Sequence, residues 1–129
     1  MRQAPSIAAV LALSFMLAGV SAGQARAGGD PANGAKIFKL KCVICHSTQA
    51  GQNKVGPSLA GVFDHKAATA PNYSYSEAMK NSGLTWDSAT LDSYLAGPRA
   101  KVPGTKMTFA GLSKESDRVD IISYLGTLK

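Results

Sequence analysis

Apolar positions along this chain fall into short stretches separated by long polar and glycine-bearing segments, and no stretch alternates as a half-buried strand does. The first stretch differs in kind from the rest. From Ile7 to Val20 there is no charged residue, and Ala, Val and Leu dominate. It follows Arg2 and runs into Ala25-Arg26-Ala27, the small-residue pattern a signal peptidase cuts. Its fourteen residues fall short of the roughly 20 that span a hydrocarbon core. Residues 1–27 are therefore expected to be a cleaved secretory leader rather than a retained membrane anchor, with residues 28–129 forming one domain.

Within that domain Asp30-Pro31 reads as an N-cap followed by proline at the first helical position. It opens a helix to Lys41 or Cys42 in which Ala35, Ile37 and Phe38 supply apolar surface. Residues 47–72, punctuated by Gly51, Gly56-Pro57, Gly61 and Pro71, read as loop. Ser74-Tyr-Ser-Glu77 has the capping-box pattern and predicts a short helix ending near Gly83. Thr85 predicts a cap for a helix over Trp86–Ala96, with Leu91, Tyr94 and Leu95 on one face and Gly97-Pro98 as its stop. Residues 99–112 read as loop, held by Pro103-Gly104. Ser113 then predicts the cap of a terminal helix, where Val119, Ile122 and Leu125, with Ile121 and Leu128, recur at helical spacing. The expected class is all-α, and ordered loops this long in a small domain usually wrap a site.

Composition sharpens this picture. Residues 28–129 are near the lower limit for a self-sufficient core and are rich in Gly, Pro, Ser and Thr, so a large flat apolar cofactor is expected to supply part of the interior. The formal charge of the chain is +6. Removing Arg2 and Arg26 with the leader lowers it to +4. The positives are dispersed and not interleaved with aromatics, which argues against a nucleic-acid surface and fits steering toward an acidic protein surface.

The strongest chemical signal is Cys42-Val43-Ile44-Cys45-His46. Two thiols three residues apart on a helical turn can reach the two vinyl groups of a haem, and the next residue then lies under the ring, where its imidazole can bind iron. A thioredoxin-like dithiol wants a βαβ pattern, which is not visible. A structural zinc site needs four ligands at suitable spacing, and besides the thiols residues 28–129 offer only His46 and His65. A disulfide would leave His46 unexplained. Covalent haem c accounts for all three residues. For a sixth iron ligand the candidates are Met107, in the loop Lys101–Phe109, and His65; Met79, on a short predicted helix, reads as core filler.

With these residues in view, the chain resembles the class I cytochromes c, of the mitochondrial cytochrome c and bacterial cytochrome c2 type. The likeness runs from about Gly34 to Leu128. It rests on Gly34 with Phe38, Cys42-x-x-Cys45-His46, Gly56-Pro57-x-Leu59-x-Gly61, Tyr73-x-Tyr75, Thr85-Trp86, Tyr94, Pro98, Pro103-Gly104-Thr105-Lys106-Met107-x-Phe109-Ala-Gly111 and Tyr124-Leu125. The resemblance implies a small cytochrome c fold, with short helices and long loops around one haem. It implies Met107 as the sixth ligand and the Pro57 carbonyl as acceptor from His46. Tyr75 and Trp86 would bond a haem propionate, with Thr105 near the propionate edge and Tyr94 by the methionine sulfur. Gly34 and Phe38 would let the first helix cross the last near Tyr124 and Leu125.

The implied function is electron carriage, not enzymatic catalysis, by a monomer in the periplasm. The implied partners are acidic faces of membrane cytochrome complexes, a terminal oxidase or a photosynthetic reaction centre. Docking would use Lys36, Lys41, Lys54, Arg99, Lys106 and Lys114, and salt would screen it. Two other readings keep the haem: a labile sixth ligand serving small-ligand or peroxide chemistry, and a dedicated partner of one dehydrogenase.

Two departures stand out. His65 occupies the place where most relatives have an arginine near the inner propionate, and Met79 the place of a pocket asparagine. A titratable cation in place of a permanent one should make the potential pH-dependent. Protonated His65 would favour the ferrous state electrostatically, so the reduction potential is expected to fall over the pH range in which His65 loses its proton. Redox titrations at a series of pH values measure this, and a potential flat across that range would refute it.

Overall fold

The computed structural model describes residues 28–129; the leader expected over residues 1–27 lies outside the described residues. Two eleven-residue helices, α1 (Pro31–Lys41) and α5 (Glu115–Leu125), frame the fold. Between them come α2 (Glu77–Lys80), α3 (Ser88–Ala96) and α4 (Pro98–Lys101), joined by long loops. An isolated antiparallel bridge, Lys66 to Thr85, is the extent of β-pairing among the described residues. No helix of the described residues is long and apolar enough to cross a membrane.

α1 begins as the sequence predicts. The Asp30 carboxylate accepts from the Ala32 N–H at 2.8 Å, and Pro31 loses nothing by lacking a donor in the first turn. The helix crosses α5 at Gly34. A Cβ at that position would run into the Asp120 carbonyl and come within 2.8 Å of the Tyr124 Cβ. One turn on, the Phe38 ring packs on Tyr124 with centroids 5.6 Å apart. The Asp120 carboxylate fixes the register, accepting from the Asp30 N–H and the Asn33 amide, each at 2.7 Å. These bonds, that to Asn33 first, hold the Asp120 carboxyl below its ordinary range.

Tertiary bonds move the other helix starts away from their local signals. The short helix is capped by Ser76, whose hydroxyl accepts from Met79 N at 3.1 Å, so Glu77 stands at the first helical position instead of closing a box with Ser74. Ser74 lies outside the helix, its carbonyl taken by the Lys106 ammonium at 2.6 Å. Thr85 does not cap α3. Residues 84–86 are held to residues 64–67 through Trp86 N to His65 O (2.8 Å), Ala67 N to Leu84 O (2.8 Å) and Asp64 N to Trp86 O (3.1 Å), and the helix starts only after Asp87, whose carboxylate accepts from Thr90 N. Pro98 stops α3 as expected but also opens the single turn of α4, inside a stretch the sequence reads as loop. α5 has Lys114 at its cap position and no side-chain cap, so Ser113 does not act as one. Arg118 organises that end instead, donating to Asp92 at 2.7 Å and to the Leu112 and Ser113 carbonyls at 2.9 and 3.0 Å. On α5, Ile121, Ile122 and Leu125 are buried, whereas Val119 is exposed.

Because the α1–α5 crossing leaves no room for a methyl group, Gly34→Ala is expected to destabilise the fold by roughly 2 kcal/mol or more through forced separation of the helices. Urea unfolding of the purified protein measures this, and an unchanged midpoint would show that the crossing is looser than its geometry.

Candidate functional site

The inner faces of the helices do not meet each other everywhere; they line a cavity of about 630 Å³. Phe38, Leu91, Leu95, Leu112 and Ile121, all buried core residues, form part of its wall. A half-open space of this size, walled largely by apolar side chains, would leave much of the core in contact with water, at about 25 cal/mol per Å² of apolar surface left unburied. The fold therefore calls for a large apolar group as part of its core.

All nine residues that the sequence assigns to cofactor binding line this one cavity: Cys42, Cys45, His46, Pro57, Tyr75, Trp86, Tyr94, Thr105 and Met107. The end of α1 delivers the first three. The chain beyond Lys41 keeps turning, with Cys45 N and His46 N bonded to the Cys42 carbonyl at 3.0 and 2.9 Å. Both cysteines are free thiols, and burial, aided by the nearby Cys45, pushes the Cys42 thiol up to about 11. Such a thiol stays protonated at neutral pH. That is the opposite of the lowered thiol pKa of a redox dithiol, and no cluster of three His, Cys, Asp or Glu side chains gathers among the described residues.

His46 is fixed by its neighbours. Its Nδ1 lies 2.7 Å from the Pro57 carbonyl, which can only accept, so the proton sits on Nδ1 and Nε2 keeps its lone pair. Burial lowers the imidazole's pKa, favouring the neutral form a metal ligand needs. The Gly56 backbone presses on this ring. A Cβ there would come within 2.8 Å of Nδ1 and 2.9 Å of Nε2, and nearer still to Cε1.

Met107 is oriented from a different part of the chain. The Tyr94 hydroxyl, brought by α3, donates to its sulfur at 3.3 Å and lies 3.4 Å from the Thr105 hydroxyl. Thr105 Oγ1 in turn accepts from Met107 N at 3.2 Å, and Leu112 N bonds Leu95 O at 2.7 Å, pinning the loop to the end of α3. Burial raises the Tyr94 phenol, so it remains a donor. The Trp86 ring packs on Tyr94 at 4.8 Å between centroids, and its N–H makes no hydrogen bond to the described residues. The Tyr75 hydroxyl accepts from Ala70 N at 3.1 Å and keeps its own proton free to donate.

The other predicted positions divide. His65 and Met79 also line the cavity, His65 at its exposed side with Nδ1 3.1 Å from Phe63 O, and Met79 buried. Of the six expected docking cations, Lys41 and Lys106 line the cavity, while Lys36, Lys54, Arg99 and Lys114 do not. Lys66, which the sequence reading omits, does. That reading also passes over Asn53 and Ser58. The Asn53 amide donates to Pro71 O at 2.9 Å and accepts from Ser58 N at 3.0 Å, while buried Ser58 donates to Gln49 O at 2.6 Å. This ties the Pro57 segment to the loop across the mouth. No local signal marks it, because an Asn and a Ser in a polar loop have no periodicity to betray burial.

Comparison with known proteins shows the family. The cytochrome c family matches residues 31–129. Cytochrome c2 of Rhodoblastus acidophilus is 55% identical over 102 residues, which cover 78% of this chain and 94% of that protein. Cytochrome c2 of Rhodomicrobium vannielii is 51% identical over 105 residues, covering 81% and 83%. Among solved structures, cytochrome cH from Methylobacterium extorquens superposes with a TM-score of 0.72 at 50% identity, covering 77% of this chain and 99% of that one. The cofactor of this family is covalent haem c with its iron, and Cys42-x-x-Cys45-His46 fits its attachment motif.

The contact of Gly56 with His46 yields a direct expectation. Gly56→Ala should turn the ring off the Pro57 carbonyl and cost about 1–3 kcal/mol of stability. Thermal unfolding of the haem-loaded protein, with proton NMR of the His46 ring, measures both; an unmoved ring and melting point would refute it.

Proposed function

The chain belongs to the cytochrome c family of electron carriers, and we propose that it is a soluble periplasmic shuttle between membrane-bound respiratory or photosynthetic complexes, its haem iron ligated by His46 and Met107. The observation that carries this reading is the pair of preset donors in one apolar cavity: a half-buried imidazole with its Nε2 lone pair free, and a thioether held by the Tyr94 hydroxyl. When bound, haem c supplies one-electron exchange at iron without making or breaking bonds.

The protein's part is to keep everything else still. The Cys42 and Cys45 sulfurs anchor the ring, and Pro57 holds His46 in one tautomer and orientation, as a partner behind a metal ligand does. Met107 offers a soft sulfur that favours ferrous iron, and the Tyr94 hydrogen bond draws density from that sulfur and pushes in the same direction. The free N–H of Trp86 and the free O–H of Tyr75 are donors suited to a propionate, with Thr105 near the same edge. The aliphatic wall keeps water out. Were His46 and Met107 both to hold the iron, no position would be open for substrate, so no enzymatic activity is proposed. Residues 1–27 would direct export and be removed after Ala27, and lysines at the cavity rim would steer acidic partners.

The first experiment is the visible spectrum of the purified protein, oxidised and reduced, made in a host with haem-attachment machinery. Sharp reduced c-type bands together with the weak red band of ferric iron bound to methionine sulfur are expected. Met107→Ala should abolish the red band and lower the potential while leaving the haem covalently attached. Haem without the red band in the natural sequence would remove Met107 as the resting ligand and favour the labile-ligand reading. Absence of haem would overturn the proposal altogether.

A further inference from the structure

Five glycines among the described residues have positive φ, and Gly111 differs from the other four in what lies beside it. Gly51 and Gly83 face open space, Gly61 has its nearest neighbour at 4.0 Å, and a Cβ on Gly104 would meet the Ala78 Cβ at 3.1 Å. A Cβ on Gly111 would lie 2.8 Å from the Ala96 carbonyl carbon and 3.2 Å from the Leu95 oxygen, and nearer still to the Ala96 oxygen. These atoms are helix backbone and cannot swing aside as a side chain would. The φ of Gly111 is +111°, itself a conformation that favours glycine. α3 ends at Ala96, and the carbonyls of its last turn need donors from outside the helix. Gly97 N donates to the Tyr94 carbonyl at 3.2 Å and Leu112 N to the Leu95 carbonyl at 2.7 Å, so the segment after Met107 caps this helix. The same helix holds the Met107 sulfur, through the Tyr94 hydroxyl at 3.3 Å. Two successive residues of α3, Tyr94 and Leu95, thus fix both ends of the span from Met107 to Leu112. Upstream, Thr105 N donates to the carbonyl of buried Val102 at 3.0 Å. Phe109 packs on the core and, with Leu112, lines the cavity, which leaves the span little slack.

Resting on the reading of Met107 as an iron ligand, we propose that Gly111 is a positioning residue for Met107. Its bare backbone, seated on the end of α3, sets the reach of the thioether and keeps the sixth position closed to other ligands. A side chain at Gly111 has to raise the loop by roughly 1 Å to regain van der Waals separation from Ala96. Metal–ligand distances tolerate only about 0.2 Å, so a lift of that size, passed along so short a span, is enough to unseat the sulfur. The lift also breaks the Leu112 N bond to Leu95 O and leaves a donor of a buried residue without its partner.

The test uses haem-loaded protein: the natural sequence, Gly111→Ala, Gly34→Ala, Gly83→Ala, and a variant with one extra glycine inserted between Ala110 and Gly111. Each is measured for the red band of its ferric form, its affinity for imidazole and its urea midpoint. Gly111→Ala is expected to lose most of the red band and to bind imidazole about tenfold more tightly or better, as a modest overpacking cost would produce. Gly34→Ala should lower the urea midpoint at least as far while keeping the band and the natural imidazole affinity. Gly83→Ala imposes positive φ on an alanine without a clash, and should match the natural protein in both. The inserted glycine leaves the seat intact and slackens the span. It should weaken the band and raise imidazole affinity with little change of midpoint, and it decides the matter where Gly111→Ala fails to retain haem. An unchanged band and imidazole affinity in Gly111→Ala overturns the proposal. So does an equal gain of affinity in Gly34→Ala or Gly83→Ala, since any loosening would then suffice. A natural protein that lacks the red band and binds imidazole as tightly as Met107→Ala overturns the Met107 reading and this one with it.

Discussion

The interior of this chain does not close on itself. Side chains from α1, α3 and α5, Phe38, Leu91 and Ile121 among them, turn toward a shared space of about 630 Å³ that they cannot fill. Interiors are packed to crystal density, and an apolar space of this size left unfilled would expose core side chains to water. The remaining architecture follows from that debt. The helices are short because they meet only at the edges, α1 against α5 through Gly34 and Phe38, and the loops are long because they wrap the occupant. Covalent attachment at Cys42 and Cys45 makes the occupant permanent, so the protein need not rely on reversible binding to keep its own core.

Hydrogen bonds also hold in place His46 and Met107, the two side chains proposed to ligate the iron. The Pro57 carbonyl binds Nδ1 of His46, Asn53 ties the adjacent Ser58 to Pro71, and Ser58 ties back to Gln49. On the Met107 side, Tyr94 and Thr105 hold the sulfur and its backbone. Both sets use neutral donors and acceptors, which hold geometry without adding a charge that would have to be solvated inside an apolar wall.

What could be read from the sequence, and what could not, divides by the range of the forces involved. The attachment pentapeptide and the start of α1 are local: thiols, imidazole, Asp30 and Pro31 act within a turn or two of themselves, so spacing was enough. The starts of α2, α3 and α5 were misplaced because distant bonds decided them. Thr85 has a good capping side chain, but the pairing of residues 84–86 with residues 64–67 keeps the backbone extended for two more residues. Ser113 lost to Arg118, which reaches across to Asp92. Periodicity also exaggerated α5: Val119 keeps helical register with Ile122 yet faces solvent, because only part of that helix's circumference meets α1 and α3. The family likeness supplied Tyr75, Trp86, Tyr94 and Thr105, which no spacing rule would have picked from plain core aromatics and loop polars. Of the six basic side chains it pointed to, only Lys41 and Lys106 line the cavity, because a side chain's distance from a cavity is a property of the folded surface.

Function is also segregated along the chain. Pro31 to Phe63 provides both thiols, the imidazole, the carbonyl that orients it, four of the five large aliphatics exposed among the described residues and four lysines, and all eight carboxylates of the chain lie outside it. One short segment thus anchors the redox centre and presents it, so few covalent bonds separate Cys45 from the surface at Ile44. The acidic residues are used elsewhere for structure, Asp30 and Asp87 as helix caps and Asp92 and Asp120 as ties between elements. A carboxylate introduced into the Pro31–Phe63 segment at an exposed position would leave those ties untouched while weakening the positive field of the segment. The exposed charge of this segment can therefore change without disturbing the acidic ties that hold the elements together.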